Sequence, residues 1–199
     1  MKFYWCEQTR AFRITWILEE AGQPYERIRV DIRTGDNKDD PDFEAASPMG
    51  KVPALTDGPV KLWDSGAICL YVADKYPEAG LTVDAADSQR FEFIQWLMFT
   101  NSVIEPAMVE KFMNVPAKQE SYGHGSFDSM IGVLEQGLSG KTWIMGERFT
   151  AADVLLGSSV HVLEKFGLLP DSATLQDYVA RCRARPALQT ALSLDEPQT

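Results

Sequence analysis

The hydrophobic period of this chain changes once, at Pro77, and that change limits its architecture more than any other feature. Before Pro77, short strand-like and helix-like runs alternate. After it, the apolar residues recur at helical spacing. Lys2 to Trp5 reads as a short strand. Ile14, Ile17, Leu18 and Ala21 then stand at i, i+3, i+4 and i+7, with Gly22 where a helix C-terminal glycine belongs and Pro24 soon after. Residues 25–30 alternate polar and apolar side chains. Residues 31–48 are polar and acidic, and read as a loop with a short helix. Residues 52–56 and 60–63 are short strands joined by Asp57-Gly58, a hairpin signal. Ser65 opens a helix that Pro77 ends.

The order is therefore strand, helix, strand, irregular segment, strand, turn, strand, helix. A helical crossover joins parallel strands and a tight hairpin joins antiparallel ones. The pattern suits an α/β domain with a thioredoxin-like four-stranded sheet over residues 1–78. Residues 77–83 read as a linker, and residues 84–199 as an all-α helical bundle. Its expected helices are a long one over 87–110, then 127–138, 150–166, 175–183 and 186–192. The third is apolar nearly all round, which marks a buried helix. It opens on Thr150-Ala151-Ala152-Asp153, a capping-box start with Asp in place of Glu or Gln.

Charge narrows the partners. Against 19 Lys and Arg stand 29 Asp and Glu, a formal charge of −10, and no basic stripe follows a helix or strand. Nucleic acid is an unsuitable partner for such a surface. The first residues show no apolar signal segment, and no run approaches the roughly 18 apolar residues of a membrane span. Cys6, Cys69 and Cys182 are odd in number and far apart, so no disulfide framework is expected, and a reducing cytoplasm is. With His124 and His161 as the only histidines and no CxxC pair, no metal site is expected.

Three segments carry candidate chemistry. Cys6 lies between the first strand and the first helix, where a helix's free amides and dipole favour a thiolate; it reads equally as a small buried hydrophobe. Thr9 is not a second cysteine, so disulfide chemistry here would need an external thiol. In Ser47-Pro48-Met49-Gly50-Lys51-Val52-Pro53-Ala54-Leu55, Pro53 stands where a strand begins and cannot donate to its ladder. A cis bond after Val52 would turn the Val52 main chain outward, free to pair with an extended peptide; a trans proline at a sheet edge is the alternative. Asp64-Ser65 opens the next helix. Helix-start amides welcome a carboxylate and Asp64 could take an ammonium, although a plain N-cap explains the pair as well. Gly140-Lys141-Thr142 fails as a phosphate loop because Glu135 occupies the first glycine position. His161 and Glu164 are too few for a metal.

Taken together these residues resemble the glutathione transferase superfamily. Cys6, Arg10, Arg13 and Leu18-Glu19-Glu20-Ala21-Gly22 are similar to the first helix of its bacterial members. Pro48-Met49-Gly50-Lys51-Val52-Pro53-Ala54-Leu55 resembles the family's NPxGKVPAL segment, with Ser47 replacing Asn. Asp64-Ser65 with Ala67-Ile68 is similar to its Glu/Gln-Ser-x-Ala-Ile segment. Gly146 to Asp153 and Arg185-Pro186-Ala187 match two motifs of its helical half.

The resemblance covers essentially the whole chain. It implies a cytoplasmic transferase, of the kind used in detoxification, that takes glutathione as co-substrate and works as a homodimer on a small apolar second substrate. Val52 would bond the cysteinyl backbone, with Pro53 in cis. Asp64 and Ser65 would hold the γ-glutamyl ammonium and carboxylate, and Lys51 the glycyl carboxylate. Cys6 would be catalytic, at the position of the serine in serine-type members, a substitution that resembles the cysteine-bearing, omega-type members and their thiol exchange. One helical turn of register would put Thr9 at the sulfur instead, and Tyr4 is a further candidate. Thr150 and Asp153 would serve folding. Non-catalytic interaction modules of the same fold are the alternative class.

Overall fold

A computed structural model describes residues 1–116 and 120–197. It divides into two compact units, Met1–Thr82 with Arg185–Thr199, and Val83–Ala184.

The first unit is built on four short strands, β1 (Lys2–Trp5), β2 (Glu26–Arg29), β3 (Ala54–Asp57) and β4 (Val60–Trp63), in the order β2-β1-β3-β4. β1 pairs in parallel with β2, Lys2 opposite Glu26, as a strand–helix–strand crossover requires. It pairs antiparallel with β3, Tyr4 opposite Ala54, and β3 turns back into β4 with Ala54 opposite Trp63. Phe3, Tyr4 and Trp5 are all buried, so both faces of the central strand are covered. On one face Tyr4 packs with Val30, Phe43, Ala46 and Ala54, Phe43 and Ala46 coming from the short helix α2 (Pro41–Ala46). Helices α1 (Phe12–Ala21) and α3 (Ser65–Lys75) complete the βα units, and Gly22 ends α1 in the left-handed conformation its position predicted.

One boundary differs from the sequence expectation. The last helix, α9 (Pro186–Leu194), packs on α1 in the first unit instead of belonging to the bundle that precedes it. Arg185 holds it there with two parallel bonds to the Glu20 carboxylate, at 2.5 and 2.6 Å, and Trp16 donates to the same carboxylate at 2.8 Å. Arg27 reaches the Leu194 carbonyl at 3.0 Å and lies 3.7 Å from the centre of the Trp5 ring. An amphipathic stripe such as Leu188 and Ala191 states that a helix must be covered, but not by what.

The second unit contains α4 (Arg90–Phe99), α5 (Glu105–Met113), α6 (Phe127–Leu138), α7 (Ala151–Lys165) and α8 (Ala173–Arg183). The long helix expected over 87–110 is interrupted by a π-helical segment, Thr100–Ile104, in which the Glu105 amide donates to the Thr100 carbonyl. Pro106 gives the reason: it has no N–H for the Ser102 carbonyl, and its ring crowds that turn. Helix α7 is buried along most of its length, as its composition predicted.

At the start of α7 lies Asp153, with no solvent exposure. Its carboxylate accepts from the Ile144 amide at 2.8 Å, the Thr150 amide at 3.0 Å, the Thr150 hydroxyl at 3.3 Å and the Tyr178 hydroxyl at 3.0 Å. One side chain thus ties a loop, a helix start and α8 together. Burial outweighs these bonds and raises the Asp153 carboxyl to about 6.

Asp153→Ala should cost about 3 kcal/mol or more, because it strands buried donors; urea unfolding of both proteins measures it. The sign of the pH effect follows from linkage. Between ~4, where an unfolded Asp ionises, and about 6, where this one does, the folded state holds the extra proton. Stability from this group should therefore fall as pH rises through that interval. The stability difference between the wild type and Asp153→Asn, followed from pH 4 to 7, should decline and then level off.

Candidate functional site

Strand register brings the sequence-predicted residues to one end of the sheet. Trp5 ends β1 opposite Arg29 of β2, Tyr4 faces Ala54 at the start of β3, and Ala54 faces Trp63 at the end of β4. The chain leaving β1 is Cys6-Glu7, the chain entering β3 is Lys51-Val52-Pro53, and the chain leaving β4 is Asp64-Ser65. All emerge at the same edge of the first unit.

The segment before β3 is shaped by Ser47, which is buried. Its hydroxyl donates to the Lys51 carbonyl at 2.7 Å and accepts from the Lys51 amide at 3.0 Å, so the short side chain closes the loop from both sides. Gly50 turns at φ +59°, and its amide donates to the Ser47 carbonyl at 2.8 Å. The Val52–Pro53 peptide is cis. Pro53 is buried, the Val52 side chain packs against the Tyr4 cluster, and Lys51 is exposed. Pairing in β3 begins at Ala54, so the Val52 main chain lies beyond the ladder. An extended peptide laid along it would find unladdered backbone groups.

Asp64 caps α3. Its carboxylate accepts from the Gly66 amide at 2.9 Å and the Ala67 amide at 3.2 Å, the geometry of an N-cap. Its backbone sits at φ +85°, ψ 123°, which a β-carbon makes costly by roughly 1–3 kcal/mol and which the surrounding chain must enforce. The exposed Asp64 is followed by Ser65, 7% exposed, whose hydroxyl oxygen accepts from Arg13 Nη1 at 3.3 Å. Arg13 reaches it from α1 and is itself buried. With its oxygen so engaged, the Ser65 hydroxyl has its proton left for an acceptor such as a carboxylate. One turn along α3, Cys69 is fully buried; burial pushes its thiol well up, which makes it unreactive.

Cys6 differs from its expected setting. Helix α1 starts at Phe12, and residues 7–11 form turns, so the cysteine does not sit on the first turn of the helix. Its neighbours are side chains instead. Arg33 Nη1 donates to Cys6 Sγ at 3.2 Å, and its Nη2 donates to the Glu7 carbonyl at 3.0 Å. The Cys6 thiol faces Glu7 Oε2 at 3.6 Å, while Glu7 Oε1 pairs with Arg29 Nε at 2.5 Å. Arg29, the nearest cation, holds the Glu7 carboxyl below the usual range. Thr9 is occupied by the main chain, donating to the Cys6 carbonyl at 2.7 Å and accepting from the Ala11 amide at 3.1 Å. Tyr4 is buried in the cluster on one face of the sheet.

Arg33 was not legible as a site residue. It is one cation in an acidic loop, and only the parallel pairing of β1 with β2 sets the residues after Arg29 beside those after Trp5. In the second unit, Met108 is buried in the core, Phe99 packs edge-on to Trp96 at 5.4 Å, and Met113 is exposed. Phe112 and Phe166, exposed and packed edge-on with ring centres 5.2 Å apart, are apolar groups the sequence reading passed over. Among the described residues, no group of three or more His, Cys, Asp or Glu is gathered as a metal site would need, and no helix is long and apolar enough to cross a membrane.

Comparison with known proteins supplies the family. The glutathione S-transferase N-terminal domain family matches residues 1–74 and the C-terminal domain family matches residues 116–186. "Glutathione S-transferase Z2" of Arabidopsis thaliana is 30% identical over 98% of this chain and 91% of its own. "Disulfide-bond oxidoreductase YfcG" of Escherichia coli K12 is 28% identical over 95% of this chain and 93% of its own. A glutathione transferase family member from Pseudomonas fluorescens, solved with two glutathione bound, is 33% identical with a TM-score of 0.73, covering 96% of this chain and 91% of that one. With a thioredoxin-like unit, a helical unit and both family domains in order, the chain belongs to the glutathione S-transferase family.

Proposed function

We propose that this protein is a glutathione-dependent transferase that binds glutathione at the end of the sheet in its first unit and applies thiol chemistry to a second substrate. The observation that carries the reading is the meeting, at one edge, of an unladdered backbone at Val52, a buried hydroxyl at Ser65 and a thiol at Cys6. Glutathione is an extended peptide with a carboxylate and an ammonium at one end and a sulfur in the middle. Val52 would pair with its cysteinyl main chain, with Pro53 in cis setting the direction of that backbone. Ser65 would donate to the γ-glutamyl carboxylate, Asp64 would face the ammonium, and Lys51 would approach the glycyl carboxylate.

Cys6 supports a more specific reading within the transferases, thiol exchange. Its thiolate attacks one sulfur of a mixed disulfide between glutathione and a substrate thiol. The S–S bond breaks, the substrate leaves as a thiolate, and Cys6 carries the glutathionyl group. A second glutathione thiolate then attacks that disulfide, releasing oxidised glutathione and Cys6 as thiolate. The likeness to an oxidoreductase of disulfide bonds favours this over addition of the glutathione thiolate to an apolar electrophile. A cytoplasmic homodimer is the form in which we expect it to work.

Calorimetric titration should detect glutathione binding below millimolar concentration, and its absence would remove the ligand assignment. Ser65→Ala should weaken binding about tenfold, the loss of one charge-assisted bond, with kcat affected less than KM. Cys6→Ser should abolish reduction of a glutathione mixed disulfide while retaining or raising conjugation of an aryl halide. Unchanged rates in both assays would take Cys6 out of the mechanism.

A further inference from the structure

The contacts around Cys6 close into a ring. Arg33 touches the sulfur at 3.2 Å, and its amide is held by Asp31 Oδ1 at 2.9 Å. The other Asp31 oxygen accepts from Arg29 Nη2 at 3.1 Å, Arg29 Nε bonds Glu7 Oε1 at 2.5 Å, and Glu7 Oε2 lies 3.6 Å from the sulfur again. The charges in this ring are not shared evenly. Glu7 and Asp31 both pair with Arg29. Asp31 also accepts from the Thr34 amide at 3.2 Å. Among the described residues the Arg33 guanidinium has no carboxylate; its two bonds go to the Cys6 sulfur and to the neutral Glu7 carbonyl.

We propose that Arg33 is a catalytic residue of thiol exchange, the group whose guanidinium stabilises the Cys6 sulfur as a thiolate. The inference rests on the reading of Cys6 as the exchanging thiol. Three features carry it. The fork of the guanidinium is fixed by its second bond, to Glu7 O, so the N–H that meets the sulfur is oriented before reaction. Glu7 Oε1 is bonded to Arg29 Nε, so the carboxylate beside the sulfur has a cation partner other than Arg33. The cysteine lies outside the first turn of α1, so the helix amides do not supply the stabilisation, and a side chain takes their place. The same residue has a second effect. Cys6 has no solvent exposure, and the exposed Arg33 lies against its sulfur, so attack on a disulfide requires the guanidinium to shift while remaining within reach of the thiolate.

The experiment compares Arg33→Ala, Arg33→Lys and Cys6→Ser in two assays, reduction of a glutathione mixed disulfide and alkylation of Cys6 by iodoacetamide at neutral pH, followed by peptide mass spectrometry. Arg33→Ala should lower both rates about tenfold or more, the worth of one charge-assisted bond to the reacting atom. Arg33→Lys should fall between. Added methylguanidinium should restore part of the Arg33→Ala rate, which a loss of mere structural support would not allow. If Arg33→Ala alkylates faster and reduces disulfide at the wild-type rate, Arg33 is a cover only and the proposal is overturned. If Cys6→Ser is inactive while Arg33→Ala is fully active, this inference fails and the thiol-exchange reading stands. Should Cys6→Ser reduce the disulfide normally, that reading falls and this inference falls with it.

Discussion

The antiparallel register of β1 on β3 is the constraint on which the site depends. With Tyr4 opposite Ala54, the chain leaving the ladder leads through Trp5 to Cys6 on one strand, and the chain entering it comes from Val52 through Pro53 on the other. A slip of one residue would send Tyr4 to the opposite face, away from Phe43 and Val30. The register is held by burial. Both faces of β1 are covered, so no alternative pairing keeps Phe3 and Tyr4 in their own cores. The hairpin then fixes β4, and β4 delivers Asp64 and Ser65 to the same edge.

Around that edge, buried polar groups are organised by arginines from other elements. Arg13, on α1, fixes the Ser65 hydroxyl from below. Arg29 and Arg33, at the end of β2 and in the loop beyond it, hold Glu7 and the Cys6 sulfur. The positive φ of Asp64 belongs to the same pattern. Its backbone is held in a conformation that its side chain disfavours, and the capping bonds it makes help to hold it there.

The second unit solves a different problem. Its helix α7 is surrounded, so its start cannot be left to solvent, and Asp153 meets the free amides of Ile144 and Thr150 from inside the fold. Burial of a carboxyl has a cost, and four hydrogen bonds offset it without removing it. The thioredoxin-like unit has its own internal staple, the paired bonds between Arg185 and Glu20 that keep the last helix on α1. Two parallel bonds resist rotation as one does not.

Much of this was legible in the chain itself. Alternation, the Asp57-Gly58 turn, Gly22 and Pro77 determine element type and order, because they act through local backbone geometry. The cis proline ahead of β3 and the cap that starts α3 were legible in the Ser47 to Leu55 segment and in Asp64-Ser65 for the same reason. Local rules also gave the capping role of Thr150 and Asp153. What they could not give is partnership across long separations. Arg33 lies 27 residues from Cys6 and Glu20 lies 165 from Arg185, and nothing in either segment names the other. The interruption at Thr100–Ile104 depends on how one proline is absorbed inside a packed helix. The start of α1 at Phe12, and with it the replacement of helix amides by Arg33 at the sulfur, is likewise a decision of the tertiary structure, because a thiol's surroundings are set by whichever loops the sheet brings beside it.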